Sequence, residues 1–598
     1  MTERLRRPRA TDTLAVAALA GLVAAAGCAP SPLAADGEAD LRRSVIHAIR
    51  RQLGDAQRLP APRTTEREFR VEDLGIAPEL MPQIETLAGP GAYDRTEFDM
   101  GTDLLGQDQR TVGVALDRAI RSAASHNLEL QFQRLGPAIA EAQVIVAEAA
   151  FDWSLFGQMT GANTDEPRVN TSGFGADPAD QRQSVQFQTG LRRNTVTGGQ
   201  FTIQNELDHV AIEPPLGSGS INNEPDPENS VKVTLQYSQP LLRGFGSDVT
   251  LAQTRLNINA ERDQVAQLKS RLITTVTETE IAYWRVVQAH WDLLILQHLL
   301  DRGIATRDKV VARKPVDATD AQIAQANAQV EQRRAFVINA RHTLRRSSDE
   351  LKLRMNDPDL PVGDESLIAP IDDALDAPFS FSVLDSYLTA VTHRPEMQQA
   401  VLAIDDASIR QVVADNNRLP QLDLRLQAVF AGLDDNFGGS YREVADGQFV
   451  GYVAALVFEY PLGNREAEGA ARRARLERMQ TVIAYMNSVD TVIDNVKGSL
   501  RDIERSYQLI AQRRVQRVAA AWSLRSFEIE MELRLGFTVQ NLEIWFNRQT
   551  EVAQAERDEI GALVDYNIAL ARLYAAMGTT TERNKIEFTV PDAPYGTP

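Results

Sequence analysis

The 598-residue chain carries 63 Lys and Arg against 82 Asp and Glu, a net charge of −19. So acidic a balance repels phosphate backbones and excludes nucleic acid as a partner, while it suits a solvated surface or a path for cations. The single cysteine, Cys28, excludes an intrachain disulfide, and beyond the first 27 residues no run of ~18 apolar residues offers a transmembrane helix, so any membrane span has to be built from strands.

The chain opens on a basic leader, "MTERLRRPRATDT", followed by the apolar run "LAVAALAGLVAAA" at 14–26. At 13 residues this run is short for a bilayer, which needs ~20, but it has the form of a secretory signal. The small residues of "AAGC" (25–28) resemble the bacterial lipobox. That resemblance implies a signal peptide over 1–27 and acylation of Cys28. Ala29 is not the aspartate that retains such lipoproteins at the inner membrane, which implies an outer-membrane destination. Residues 28–110 read as an N-terminal extension with one or two short helices.

A repeat follows. Shifted by 267 residues, "SAASHNLE" (122–129) falls on "TAVTHRPE" (389–396), and "IVAEAA" (145–150) on "VVADNN" (412–417). Each copy is a helical pattern leading into a strand pattern, and the copies occupy 111–352 and 381–580. A Pro/Asp-rich linker, 353–380, separates them, and 581–598 form a tail. Between Ser247 and Arg302 there are 56 residues without Gly or Pro, which as one helix would run ~84 Å. Spacings of three and four along it select Val265, Leu268, Leu272, Val276, Thr279, Tyr283, Val286, His290, Leu293, Gln297 and Leu300 as a packing seam. Residues 316–357 and 499–535 are equally free of helix breakers.

The strands alternate. In "VKVTLQYS" (231–238) Val231, Val233, Leu235 and Tyr237 share one face, and in "QLDLRLQAVF" (421–430) Leu422, Leu424, Leu426, Ala428 and Phe430 do. This is the dyad pattern of a membrane β-barrel, or of an amphipathic sheet on a soluble core. Signal peptide and long helices favour the barrel. Trp153, Tyr237, Phe458 and Tyr460 fall near strand ends, where an interfacial aromatic girdle belongs. Twice the strand period stops at a proline and a long helix follows: Pro240 with Gly244 and Gly246, then Pro461 with Gly463. Proline brings no N–H to the ladder and glycine turns the chain.

In this order, "HNLE", "YSQPLLRGFG", "YPLGNREAEGAARRARLE", "LRLGFTVQNLEIW" and "DYNIALARLYAAMGT" resemble the TolC-like outer-membrane efflux family. The repeat that carries them spans about 111–580. The resemblance implies an α+β membrane protein: a homotrimer whose copies build one outer-membrane β-barrel continued by a periplasmic α-helical tunnel. It implies the passive exit duct of a tripartite efflux or secretion system, linked by a periplasmic adaptor (a membrane fusion protein) to an inner-membrane transporter. The family's acidic gating motif falls on "GFTVQNLE", at Gln540 and Glu543, and in the first repeat on Asp317 and Asp320. Gln540 departs from the acidic pattern. A solvated helix turn, with Asp317 as N-cap, is the rival reading of these residues. Four strands per protomer are the family's count, so a further hairpin at "SVQFQTGL" (184–191) and "FTIQNEL" (201–207) belongs either to an extracellular loop, the reading favoured, or to a wider barrel.

No P-loop, HExxH, GxSxG or dinucleotide fingerprint occurs. His290 and His298 share a helix at a spacing that suits packing, so no metal, cofactor or catalytic residue is expected. The alternative to a conduit is a lipid-anchored coiled-coil scaffold of the periplasm.

Overall fold

Two helices of 61 and 69 residues dominate the chain. The structure, a computed structural model, describes residues 62–67, 71–93, 100–104, 106–167, 179–212, 228–315, 318–533 and 538–587. In chain order the helices are α1 (Met81–Leu87), α2 (Leu116–His126), α3 (Leu128–Glu148), α4 (Ala252–Ala312), α5 (Asp320–Met355), α6 (Val383–His393), α7 (Pro395–Asn416), α8 (Phe437–Asp446), α9 (Arg465–Leu533) and α10 (Val539–Met577). At ~1.5 Å per residue α4 and α9 run ~90 Å and ~100 Å. The predicted seam is the buried face of α4: Leu268, Leu272, Val276, Thr279, Tyr283, Val286 and Leu293 are all inside. None of the described helices is long and apolar enough to cross a membrane.

Six strands form one antiparallel sheet in the order β6-β5-β4-β3-β2-β1: β1 (Ser154–Pro167), β2 (Ala179–Asn194), β3 (Gln200–Ile212), β4 (Glu228–Pro240), β5 (Gln421–Asp434) and β6 (Phe449–Glu459). The segment expected as a loop hairpin is therefore β2 and β3, inside the sheet between β1 and β4. Its thirteen-residue register against β4's neighbour, from Arg182 opposite Ile212 to Asn194 opposite Gln200, is continuous with the rest of the ladder. A chain alternating this regularly finds backbone partners on both sides, which a surface loop cannot provide.

The two repeats meet where β4 of the first pairs β5 of the second. Below the sheet, α3 packs on α4, α4 on α7 and α7 on α9. At the far end α4 and α5 form one antiparallel pair, α9 and α10 another. The core there joins all four helices through Val310, Ala326, Val518, Leu524, Leu542, Trp545 and Phe546.

The linker and the N-terminal extension are both part of the core. Leu367–Pro370 pairs in parallel with Thr111–Val114, and Leu360, Leu367 and Ile368 are buried beside Tyr283 and Leu293. Ile84 and Ala88 of the extension are buried against α9 and α10. Residues 1–61 lie outside the described residues, and with them Cys28 and the expected signal peptide.

Candidate functional site

The cross-strand register sorts the sheet into two unlike faces. One carries Leu155 and Met159 of β1, Phe187 and Leu191 of β2, Ile203 and Leu207 of β3, Val231, Val233 and Leu235 of β4, Leu426, Ala428 and Phe430 of β5, and Tyr452, Leu456 and Phe458 of β6. Most of it lies open: Leu155 is 77% exposed, Met159 74% and Tyr452 80%. Helix α8, which sequence reasoning left unassigned, lies over the end farthest from the long helices. There the Ser440 hydroxyl donates to the Asn229 carbonyl (2.6 Å) and Asn205 Nδ2 to the Tyr441 hydroxyl (2.7 Å).

The opposite face is polar on five strands. Gln158 stands opposite Gln188, Gln188 opposite Glu206, Glu206 opposite Lys232, and Gln236 opposite Gln427. Gln186 Nε2 donates to Glu206 Oε1 at 2.7 Å. Edge strand β6 is apolar on both sides, with Val453, Ala455 and Val457 in the polar row.

Aromatic residues line the helix-side end of the apolar face. Trp153 meets Phe201 edge-on at 6.1 Å, Phe201 stands opposite Tyr237, and Phe458 and Tyr460 lie exposed at the end of β6. All four residues expected in a girdle thus fall at the helix-side ends of their strands.

The joints follow there. Pro240 is the last residue of β4, yet pairing continues past it: Leu241 N donates to Leu422 O (2.7 Å) and Arg243 N to Pro420 O (3.2 Å). Proline alone therefore does not end the ladder. Gly244 and Gly246, at φ +84° and +104°, turn the chain into α4, angles that a side chain resists. At the second joint Gly463 (φ +89°) and Asn464 (φ +37°) do the same after Pro461, and Asn464 Nδ2 donates to Arg418 O.

The expected gate residues lie on the helix turns farthest from the sheet. Asp320 is the first residue of α5, exposed, with an ion pair to Lys314 at 2.9 Å. Gln540 and Glu543 are exposed on the first turns of α10. Asp317 lies outside the described residues, and the N-cap it was expected to supply is Thr319, which forms a capping box with Gln322. The fold brings the turns of the two repeats to one end because α4 and α9 each fold back on a partner helix there.

A buried polar cluster escaped sequence reasoning. The Tyr93 hydroxyl of the extension donates to Glu556 Oε1 at 2.5 Å, and burial pushes the Glu556 carboxyl up to about 7. His298 meets the Tyr93 ring edge-on at 5.3 Å and burial lowers its imidazole to about 4. Beside them Arg517 bridges Glu559 (2.6 Å) and Glu85 (3.1 Å). Partners more than 400 residues apart in sequence leave no local signal. His290 and His298 form no metal cluster, and none exists among the described residues.

A six-stranded sheet standing on long helices has likenesses among solved structures. The Campylobacter jejuni CmeC outer membrane channel superposes with a TM-score of 0.56 at 13% identity, covering 78% of this chain and 86% of its own. The chain has the outer-membrane channel fold. The open-state MtrE channel of Neisseria gonorrhoeae (TM-score 0.52, 16% identity, 78% and 89% covered) shares that fold. So does the outer membrane protein VceC of Vibrio cholerae (0.54, 12%, 77% and 96%). No family model and no curated protein matches the sequence. At such identities the outer-membrane channel fold is visible in the backbone and barely in the residues.

Proposed function

We propose that this protein is the outer-membrane exit duct of a tripartite efflux or secretion system. It is a passive conduit, without catalysis of its own, energised by an inner-membrane transporter through a periplasmic adaptor. The observation that carries the reading is the open apolar face across all six strands, fused at Gly244 to Gly246 and at Gly463 to helices of ~90–100 Å. From Pro240 back to Val231 β4 climbs ~30 Å at ~3.3 Å per residue, which once tilted is close to the ~25 Å apolar band of an outer-membrane barrel.

One chain makes an open sheet with two free edges, β1 and β6, and a bilayer tolerates no unpaired edge. Closure requires other copies, and three are proposed. Two exposed apolar seams support a head-to-tail ring. On α3, beside β1, they are Leu128, Phe132, Leu135, Ile139 and Val146; on α9, beside β6, Leu476, Met479, Ile483 and Met486. Both follow heptad spacing and span overlapping levels below the sheet.

The mouth at the far helix turns is the proposed gate. Rings of Asp320 and Glu543, with Asp317 and Gln540 beside them, would attract cations and repel one another. Cys28 is the proposed lipid attachment in the outer membrane. Planar-bilayer recording tests the whole reading: the purified protein should insert as heat-modifiable trimers and conduct ions. A water-soluble monomer that never enters detergent or bilayers would end it and return the scaffold alternative. Within a conducting protein, Asp320→Ala with Glu543→Ala should raise conductance or weaken cation blockade, and no change in either removes these residues from the gate.

A further inference from the structure

We propose that residues 71–93 are a strap that ties the helix pair of one repeat to the helix pair of the other and holds the far mouth narrow until the strap is displaced. The inference rests on the exit-duct reading and concerns how that mouth is controlled.

The segment hangs from the linker by both ends. Before it, Thr64 pairs with Ser380 and Arg67 with Asp376. After it, Arg345 Nη2 on α5 donates to Met100 O (3.0 Å) and Thr102 O (2.8 Å), and Thr111–Val114 pairs with Leu367–Pro370. Linker and α4 meet where the Tyr283 hydroxyl donates to Asp372 Oδ2 (2.8 Å). That level lies ~44 Å above the end of α4 at Ala312. Between its anchors the chain reaches down as far as Arg302, only ~15 Å above the same end.

At that level two adjacent carbonyls are held by different helix pairs. Arg302 of α4 donates to Leu87 O, and Arg517 of α9 donates to Ala88 O. Gly89 follows, where a Cβ would stand 3.0 Å from Arg517 Nη1. Tyr93 repeats the arrangement. Its hydroxyl donates to Glu556 of α10, while its ring meets Trp291 (6.0 Å) and His298 (5.3 Å) of α4 edge-on. Ile84 and Ala88 enter a core built by Val310 and Ala326 of the first pair and by Val518, Leu524 and Leu542 of the second. Each of these contacts joins α4 with α5 to α9 with α10. The pairs also pack directly, through α10 on α4 and α5, and the strap adds the tie from α9 to α4.

The consequence is mechanical. At the mouth α4 passes into α5 and α9 into α10, so the opening widens when one pair moves away from the other. That movement draws an arginine off Leu87 O or Ala88 O. Ala88 is fully buried, so no water replaces the lost donor, and the closed arrangement is favoured by the charge-assisted bonds it keeps.

Single-channel recording on the full-length assembled protein tests the strap. Arg302→Met with Arg517→Met removes both guanidinium ties while keeping most of the volume, and proteolysis within 71–93 shows when the strap is free. Ile84→Asp is added if the first two changes leave it protected. The open fraction should rise about tenfold or more once the strap is free, the worth of one charge-assisted hydrogen bond. Arg548→Met serves as the comparison, because it removes a bond from α10 to Ser523 O of α9 (2.7 Å) within a single pair. It should leave the open fraction unchanged. If the strap variants do not assemble, protease sites are placed at Gly75 and Gly106, where a Cβ meets nothing, and the assembled protein is cut. The open fraction should rise on removal of the fragment and fall again when a synthetic 76–106 peptide is added. A free or excised strap with an unaltered open fraction overturns the proposal, and so does an equal rise in Arg548→Met. A native protein that never conducts is a different result, which ends the exit-duct reading and the strap's role with it.

Discussion

The guanidinium of Arg333 lies against Gly303, so close that a Cβ at that glycine would stand 2.8 Å from Nη1. Arg333 is fully buried between three helices: Nη1 donates to Leu299 O (3.0 Å) and Gln549 Oε1 (2.8 Å), Nη2 to Phe546 O (3.1 Å). No carboxylate joins it among the described residues, and its charge is spread over carbonyl and amide oxygens and the Phe546 ring. Gly303 is the notch that admits it. Gly303→Ala gains ~1 kcal/mol of helix propensity but displaces a charged donor from bonds worth ~1.5–3 kcal/mol each. We expect a net loss of about 1–3 kcal/mol in urea unfolding followed by tryptophan fluorescence. In an Arg333→Met background the same substitution should be neutral or stabilising. Equal losses in both backgrounds would mean the glycine serves something else.

Arg517 holds the N-terminal extension to the helices. Its side chain is nearly buried between Glu559 and Glu85, and it also donates to the Ala88 carbonyl. Arg517→Ala leaves Glu559 paired with Arg514 alone (2.8 Å) and removes the hold on Glu85, a loss of roughly 1–3 kcal/mol. Limited proteolysis should then cut within 71–93, which the intact protein shields. Arg517→Met, which fills the space without the charge, should leave the segment just as open to cleavage. Unaltered protection in both variants would show that apolar contacts through Ile84 suffice.

Glu556 makes stability depend on pH. With its folded pKa raised to about 7 from 4.5, the native protein keeps a proton that the unfolded chain releases, so this residue's contribution falls as pH rises from about 4.5 through about 7. His298, lowered to about 4 from 6.5, acts in the opposite direction between those values. Comparing Glu556→Gln with the native protein cancels the histidine. The variant should gain roughly 1–3 kcal/mol on the native protein between pH 4.5 and pH 8. A difference that stays constant across that range would rule out a protonated Glu556.

The apolar seams predict where assembly fails. Ile139→Glu on α3 or Ile483→Glu on α9 places a charge in an exposed heptad seam that the proposed ring buries between copies. Either change should shift sedimentation in detergent from trimer to monomer while the far-ultraviolet circular dichroism stays unchanged. Glu at the solvated Glu477 flank, for instance Arg473→Glu, should leave the trimer intact. Assembly surviving both seam changes would place the contact elsewhere.

Periodicity carried most of the architecture. Runs without Gly or Pro forced α4, α5 and α9, because nothing in them interrupts the hydrogen-bond ladder, and the three-four spacing selected the buried face of α4. Alternation located β4 and β5 and marked β2 and β3 as a hairpin, and the glycines after Pro240 and Pro461 marked the turns. What local pattern could not decide was pairing. Whether β2 and β3 sit in a loop or in the sheet depends on partners across the chain, and the sequence has the same alternation either way. The packing of residues 71–93 and the burial of Arg333, Glu556 and Arg517 are likewise set by contacts between segments hundreds of residues apart, where burial energy is paid back only once the whole helical wall has formed.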